Sequence, residues 1–146
     1  MPGLSGFTFR NWDPIGSVKS SLDDWSYSQF DKELEAEESL YTHLVERFPR
    51  LEIQKEFYYD QIRMDILIER NLAIELKLNL TSNDEYKRLI GQLDSYHRWD
   101  GLNMIVLVIG DFKTELQTRL EYAMAKLWDD EESTCIINLP NQSSGT

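Results

Sequence analysis

The chain has a single cysteine, Cys135, so it cannot close an intrachain disulfide. Disulfides persist in oxidising compartments, and their absence points to a reducing one. No apolar run approaches the roughly 20 residues a helix needs to cross a bilayer. The opening Met-Pro-Gly-Leu-Ser-Gly lacks the basic and apolar regions of a signal peptide. These absences predict a cytoplasmic protein with no membrane partner. Histidine is scarce too: His43 and His97 have no metal-ligand spacing and are expected to be structural. Bases are outnumbered, 15 to 26, for a net charge of −11. Strong non-specific attraction to nucleic acid, which needs the opposite balance, is thereby excluded. The deficit is uneven, however: residues 1–48 carry −5, residues 49–119 only −2, and residues 120–146 carry −4. The middle of the chain can still present a local positive surface.

With 146 residues, one domain with a real core is expected. Residues 1–27 mix Ser, Gly and Asp with Phe7, Phe9, Trp12, Trp25 and Tyr27. The aromatics argue against plain disorder, and the segment reads as an N-terminal arm or extension: a packed arm, a lid or a dimer contact. Residues 28–140 form the domain and 141–146 a polar tail. Ser28 is the expected cap of a first helix over 28–48, in which Leu40, Leu44 and Phe48 make an apolar stripe and Leu34, Tyr41 and Val45 widen it. Pro49 ends it. Residues 51–59 alternate as a strand. Ser82 and Glu85 fit a capping box for a second helix with Tyr86, Leu89, Ile90, Leu93 and His97 on its buried face. Residues 103–110 are a near-continuous apolar run, which suits a strand covered on both faces. A helix over 114–128 and a strand over 134–139 follow, Cys135 reading as a small buried hydrophobe and Trp99 and Trp128 as core. The class is α/β, in the order α-β-β-β-α-β-α-β.

Residues 62–78 are the centre of this pattern. Ile62, Met64, Ile66 and Ile68 alternate with Arg63, Asp65, Leu67 and Glu69, and Leu72, Ile74, Leu76 and Leu78 alternate with Ala73, Glu75, Lys77 and Asn79. Two half-buried strands joined by a tight turn are indicated. A two-residue turn would mix the faces; a three-residue turn, Glu69-Arg70-Asn71, pairs Ile68 with Leu72, Ile66 with Ile74 and Met64 with Leu76. Asn71 suits the left-handed position ending such a turn. This register sets Asp65 opposite Glu75 with Lys77 beside them. Facing carboxylates repel, and a divalent metal is the natural compensation. Mg²⁺ binds through one or two carboxylates, waters and substrate phosphate. Asp65 and Glu75 supply the carboxylates, and the Leu76 carbonyl is a candidate third ligand. Lys77 is suited to orienting an attacking water or stabilising charge on a phosphate. Gln92 and Tyr96, four apart, share a helix face that Arg88 extends by one turn, a set able to position a backbone phosphate.

The element order, with Asp65, then Glu75-Leu76-Lys77, then Gln92-Leu-Asp-Ser-Tyr96, resembles the PD-(D/E)XK nuclease superfamily, and the last element resembles the Q-x-x-x-Y of its RecB-type exonuclease branch. The resemblance covers about residues 33–110. Met64 stands where the family often has proline. The resemblance implies a restriction-endonuclease-like core with a mixed sheet flanked by helices. It implies a Mg²⁺-dependent deoxyribonuclease, Mn²⁺ substituting, with Asp65, Glu75 and Lys77 catalytic and Gln92, Tyr96 and Arg88 positioning the substrate. It further implies a glutamate of the first helix at the metal; spacing to Leu40 and Leu44 favours Glu37, with Glu33 the alternate. DNA is the expected partner, met as a homo-oligomer or within a larger nuclease or helicase complex. The competing expectation is a catalytically inactive module that keeps the fold to bind protein partners or to act as an acidic DNA-like decoy. Without the helix motif, Asp65, Glu75 and Lys77 would read as a solvated charge triad.

Overall fold

The computed structural model describes residues 13–59 and 62–142. Phe7, Phe9 and Trp12 of the expected arm lie outside the described residues. Helix α1 spans Pro14–Ser21 and α2 Glu33–Arg47; strands β1 (Ile53–Tyr59), β2 (Ile62–Ile68) and β3 (Leu72–Leu80) follow; then come α3 (Asn83–Tyr96), β4 (Asn103–Phe112), α4 (Thr114–Trp128) and β5 (Thr134–Leu139). The five strands form one mixed sheet in sequence order, antiparallel from β1 to β3 and parallel from β3 to β5.

The sheet has helices on both faces because its central strands are apolar on both. In β4, Ile105, Leu107 and Ile109 pack toward Ala36, Leu40 and Leu44 of α2 and Val18 of α1. Met104, Val106 and Val108 pack on the other face, toward Leu89 and Leu93 of α3 and Leu116, Leu120 and Met124 of α4. Residues 13–27 belong to this core: Val18, Leu22, Trp25 and Tyr27 are buried. The Trp25 indole donates to Ser39 Oγ (3.1 Å) and the Tyr27 hydroxyl to the Pro140 carbonyl (2.7 Å). His43 is structural, its Nε2 lying 2.7 Å from the Ser21 carbonyl.

Several local expectations need correction. Helix α2 starts at Glu33 and not at Ser28. The backbone N–H and C=O of Phe30 are already spent on the Asn141 side chain, which holds the chain extended there. The Glu35 carboxylate accepts the Asp31 and Lys32 amides and does the capping. Leu34 and Val45 are exposed and do not widen the buried stripe. His97 is exposed, with its ring edge-on to Trp128. Trp99, Trp128 and Cys135 are half-buried at the margins of the two clusters. Ser82 does cap α3, accepting from the Glu85 amide at 3.2 Å.

The β2–β3 hairpin has the expected three-residue connection, with Ile68 opposite Leu72 and Ile66 opposite Ile74. The left-handed residues are Glu69 and Arg70 (φ 54° and 52°), not Asn71. Asn71 instead ties the turn to β4, its carbonyl accepting the Asn103 amide at 2.8 Å. The larger difference lies further along. Phe57, Ile62 and Met64 pack on the α3 side, whereas Ile53, Ile66 and Ile68 pack on the α2 side. The β1–β2 ribbon therefore turns over about midway. Glu56, in a left-handed conformation (φ 50°), and Asp65 stand at the inflection. Met64 does not pair with Leu76, and the β2–β3 ladder ends at Ile66 and Ile74. Beyond it the two strands fork.

Gly91 sits in the middle of α3 with nothing within 4 Å of where a Cβ would lie. Nothing in the packing requires glycine there. Gly91→Ala should raise stability by about 0.5–1 kcal/mol. A shift of the urea midpoint with an unchanged m-value would show it.

Candidate active site

A strand directs the N–H and C=O of alternate residues to the same neighbour. Beyond the fork, β3 has lost that neighbour, and two carboxylates replace it. The Leu76 amide donates to Asp65 Oδ2 at 2.8 Å, and the Leu78 amide to Glu33 Oε2 at 3.1 Å. Asp65 and Glu75 are thus not a directly opposed ladder pair: Asp65 reaches past that position to the backbone of Leu76. The Leu76 carbonyl lies on the same strand edge as its amide and opens toward the fork. Leaving that buried amide without a partner would cost about 1–3 kcal/mol, so a short acceptor is needed where Asp65 stands.

The remaining groups arrive from both faces of the sheet. From the α3 side come Glu75 and Lys77. Glu75 is 2% exposed. Its Oε2 lies 3.3 Å from Lys77 Nζ, and its Oε1 lies 2.8 Å from the Tyr96 hydroxyl. That hydroxyl is also 2.5 Å from the Arg63 carbonyl. A phenol has one proton to give, so when it donates to the carbonyl, the contact with Glu75 requires the proton to be on the carboxyl. From the α2 side comes Glu37, 4% exposed, with Oε2 buried and unpartnered among the described residues. Between them lies Arg63. Its Nη1 is 2.5 Å from Asp65 Oδ1, and its Nη2 is 3.3 Å from Glu37 Oε1 and 3.9 Å from Glu56 Oε2.

These placements set the electrostatics. Burial, and then the charge of Asp65, push the Glu75 carboxyl up to about 8 and the Glu37 carboxyl up to about 7. Burial and then Glu75 push the Tyr96 phenol well above its ordinary value, so it stays a neutral donor. Asp65 is the common neighbour of both raised acids. Burial and a shared acidic neighbour thus both favour the neutral forms of Glu37 and Glu75.

The remaining expected residues are placed as follows. Tyr96 is buried against Glu75 and does not face solvent. Gln92, one turn earlier, is half-buried, with its Oε1 unpartnered among the described residues. Arg88 is exposed one turn before that. Glu33 is spent on the Leu78 amide, which leaves Glu37 as the α2 acid turned into the site. Sequence reasoning gave no role to Arg63 or Glu56. Arg63 could have been found, since a base two residues before an acid on a strand shares its face. Nothing in the residue type announces the left-handed Glu56.

Among the described residues, no three Asp, Glu, His or Cys side chains converge to hold a metal ion by themselves. The donor set nevertheless fits Mg²⁺ or Mn²⁺: hard oxygens, two acidic side chains flanking a backbone carbonyl, and an orphaned buried oxygen on Glu37. No helix among the described residues is long and apolar enough to cross a membrane. Comparison with protein-family models, curated proteins and solved structures finds no match.

Two outcomes follow from this geometry. Asp65→Asn keeps an oxygen for the Leu76 amide, whereas Asp65→Ala does not; chemical denaturation should find the alanine variant less stable than the asparagine one by about 1–3 kcal/mol. The raised Glu75 and Glu37 carboxyls bind protons in the folded chain that the unfolded chain has released. Their stabilising contribution is therefore full below about pH 4.5 and is lost as the pH rises through about 7 to 8. In metal-free buffer, Glu75→Gln should flatten the upper part of that decline relative to the native chain, as read by urea midpoints across the range.

Proposed function

We propose that the protein is a divalent-metal-dependent phosphodiesterase, a PD-(D/E)XK nuclease acting on DNA. The observation that carries this reading is the fork itself. Asp65, the Leu76 carbonyl and Glu75 are gathered where β2 leaves β3, with Lys77 beside Glu75 and Glu37 turned in from α2. The helix, three-strand meander, helix and parallel strand running from α2 to β4 is the arrangement expected of a restriction-endonuclease-like core. Asp65, Glu75 and the Leu76 carbonyl would hold Mg²⁺, or Mn²⁺ in its place, with Glu37 as a further ligand. Such an ion, when bound, polarises the scissile phosphate and lowers the pKa of a water nucleophile.

The chain's own groups do the rest. Lys77, half-buried beside Glu75, orients the attacking water or stabilises charge developing on the phosphate. Tyr96 is a positioning residue: it fixes Glu75 against the fork and ties α3 to the Arg63 carbonyl. Gln92, through its amide N–H₂ one turn away, and the exposed Arg88 are the groups on α3 whose donors suit the nucleic-acid backbone. A homo-oligomer or a larger nuclease or helicase assembly would supply the DNA-binding surface that a chain of net charge −11 lacks.

One observation favours a second reading, a catalytically inactive fold that serves protein partners or mimics DNA. Arg63 already neutralises part of the acid cluster without any metal. A panel of single-stranded, duplex and supercoiled DNA and of RNA, incubated with Mg²⁺ or Mn²⁺, separates the two. Cleavage of DNA that chelation stops, and that Lys77→Ala reduces by about 10²–10³, supports the nuclease. A folded, metal-loaded protein that cuts none of them favours the binding module.

A further inference from the structure

The reaction proposed above leaves one basic side chain of the fork without a task. Arg63 lies in contact with three acids, Asp65, Glu37 and Glu56. Its side chain is 37% exposed, while those of Asp65 and Glu37 are 9% and 6% exposed. The guanidinium thus enters a buried acid cluster from the solvent side and keeps a route out.

The accounting of oxygens gives this position its meaning. Asp65 Oδ2 is committed to the Leu76 amide, so Oδ1 is the oxygen it can offer to a cation. Arg63 Nη1 holds that oxygen at 2.5 Å. Glu37 likewise offers Oε1 to Arg63, while its Oε2 stays buried and unpartnered among the described residues. A single positive charge therefore stands against three acids and leaves one buried oxygen unsatisfied. A divalent ion held by Asp65 would need Oδ1 as its ligand. A guanidinium on the same oxygen would then be only a few ångström from a like charge.

Resting on the metal-dependent reading of this site, we propose that Arg63 is an exchangeable counter-ion: it holds Asp65 and Glu37 together in the metal-free protein and is displaced toward solvent when a divalent cation takes their oxygens. Two things follow. The acid cluster can fold and persist without metal, because it carries its own cation. Metal binding also releases a planar set of N–H donors at the mouth of the fork, where they are free to pair with a phosphate of the incoming strand. Arg63 changes partner from carboxylate to phosphate, so metal and nucleic acid each favour binding of the other.

The test is Mg²⁺ binding to the full chain by calorimetry, native against Arg63→Gln, with no substrate present. Removal of the competing cation should tighten Mg²⁺ binding about tenfold. In the native chain the Arg63 Nε–H resonance should shift in proportion to Mg²⁺ occupancy. Affinity in Arg63→Gln that is equal to or weaker than native, while the native chain binds Mg²⁺, overturns the exchange and marks Arg63 as a structural brace. If the variant does not fold, the native-chain resonance decides: a signal that stays put while Mg²⁺ saturates the site overturns the proposal. If neither protein binds Mg²⁺, the metal-dependent reading fails and the exchange fails with it. Asp65→Asn, with a weakened or abolished calorimetric signal, confirms that the heat comes from this site.

Discussion

The hydrogen bond from the Leu76 amide to the Asp65 carboxylate is the constraint on which the rest of the site depends. A strand in the middle of a sheet cannot simply lose its neighbour, because its amides are then buried without acceptors. Here β2 leaves β3 after Ile74, and Asp65 stands in for the missing backbone. Glu33 does the same one step further along, at Leu78. The fork is therefore paid for in carboxylates. Asp65 and Glu33 are needed to end the ladder, and Asp65, having been placed there, also stands beside the buried Glu37 and Glu75. Fold and chemistry share the same side chain.

That sharing explains the electrical state of the interior. A protein of net charge −11 could have kept its acids in water, and most of them are exposed. Among the described residues, Glu37, Asp65 and Glu75 are the charged ones that it buries. Burial favours the neutral forms of Glu37 and Glu75, and Asp65 raises both further. Opposing this are Lys77 beside Glu75 and Arg63 beside Asp65 and Glu37. Each base faces one side of the fork, so the site is divided: the α3 face holds an acid, a lysine and a phenol, and the α2 face holds acids and a guanidinium. The exposed acids elsewhere in the chain bear little on this balance, because distant solvated charges are screened.

Much of this was legible in the residues because the relevant signals are local. The order of elements after residue 28, the bounds of α4 and β5, the Ser82 cap and the three-residue hairpin connection follow from periodicity and capping chemistry. What could not be read is the turnover of the β1–β2 ribbon. Ile62, Met64, Ile66 and Ile68 look like one face of a strand, yet the first two pack under α3 and the last two under α2. Alternation records which residues are apolar; it does not record a half-turn of the backbone between them. The half-turn rests on Glu56, a residue type with no special liking for the left-handed region. Asp65 was consequently expected across from Glu75 and found instead at the Leu76 amide. The start of α2 was hidden for a similar reason: its competitor, Asn141, is 111 residues away from Phe30.

Tyr96 shows how a sequence pattern and its physical basis can part. As part of a Q-x-x-x-Y spacing it suggests a helix face turned toward substrate. In the fold it is 1% exposed, and its hydroxyl bridges Glu75 and the Arg63 carbonyl. The spacing of four still matters, because it sets Gln92 one turn back on the same face, half-buried and with an oxygen left over. The two residues then differ in depth: the inner one holds the acid in place, and the outer one lies nearer the surface. A helix that supplied only surface contacts would leave Glu75 able to swing away from the fork. Anchoring the carboxylate from beneath while β3 fixes its backbone removes that freedom, so the fold alone sets where Glu75 points.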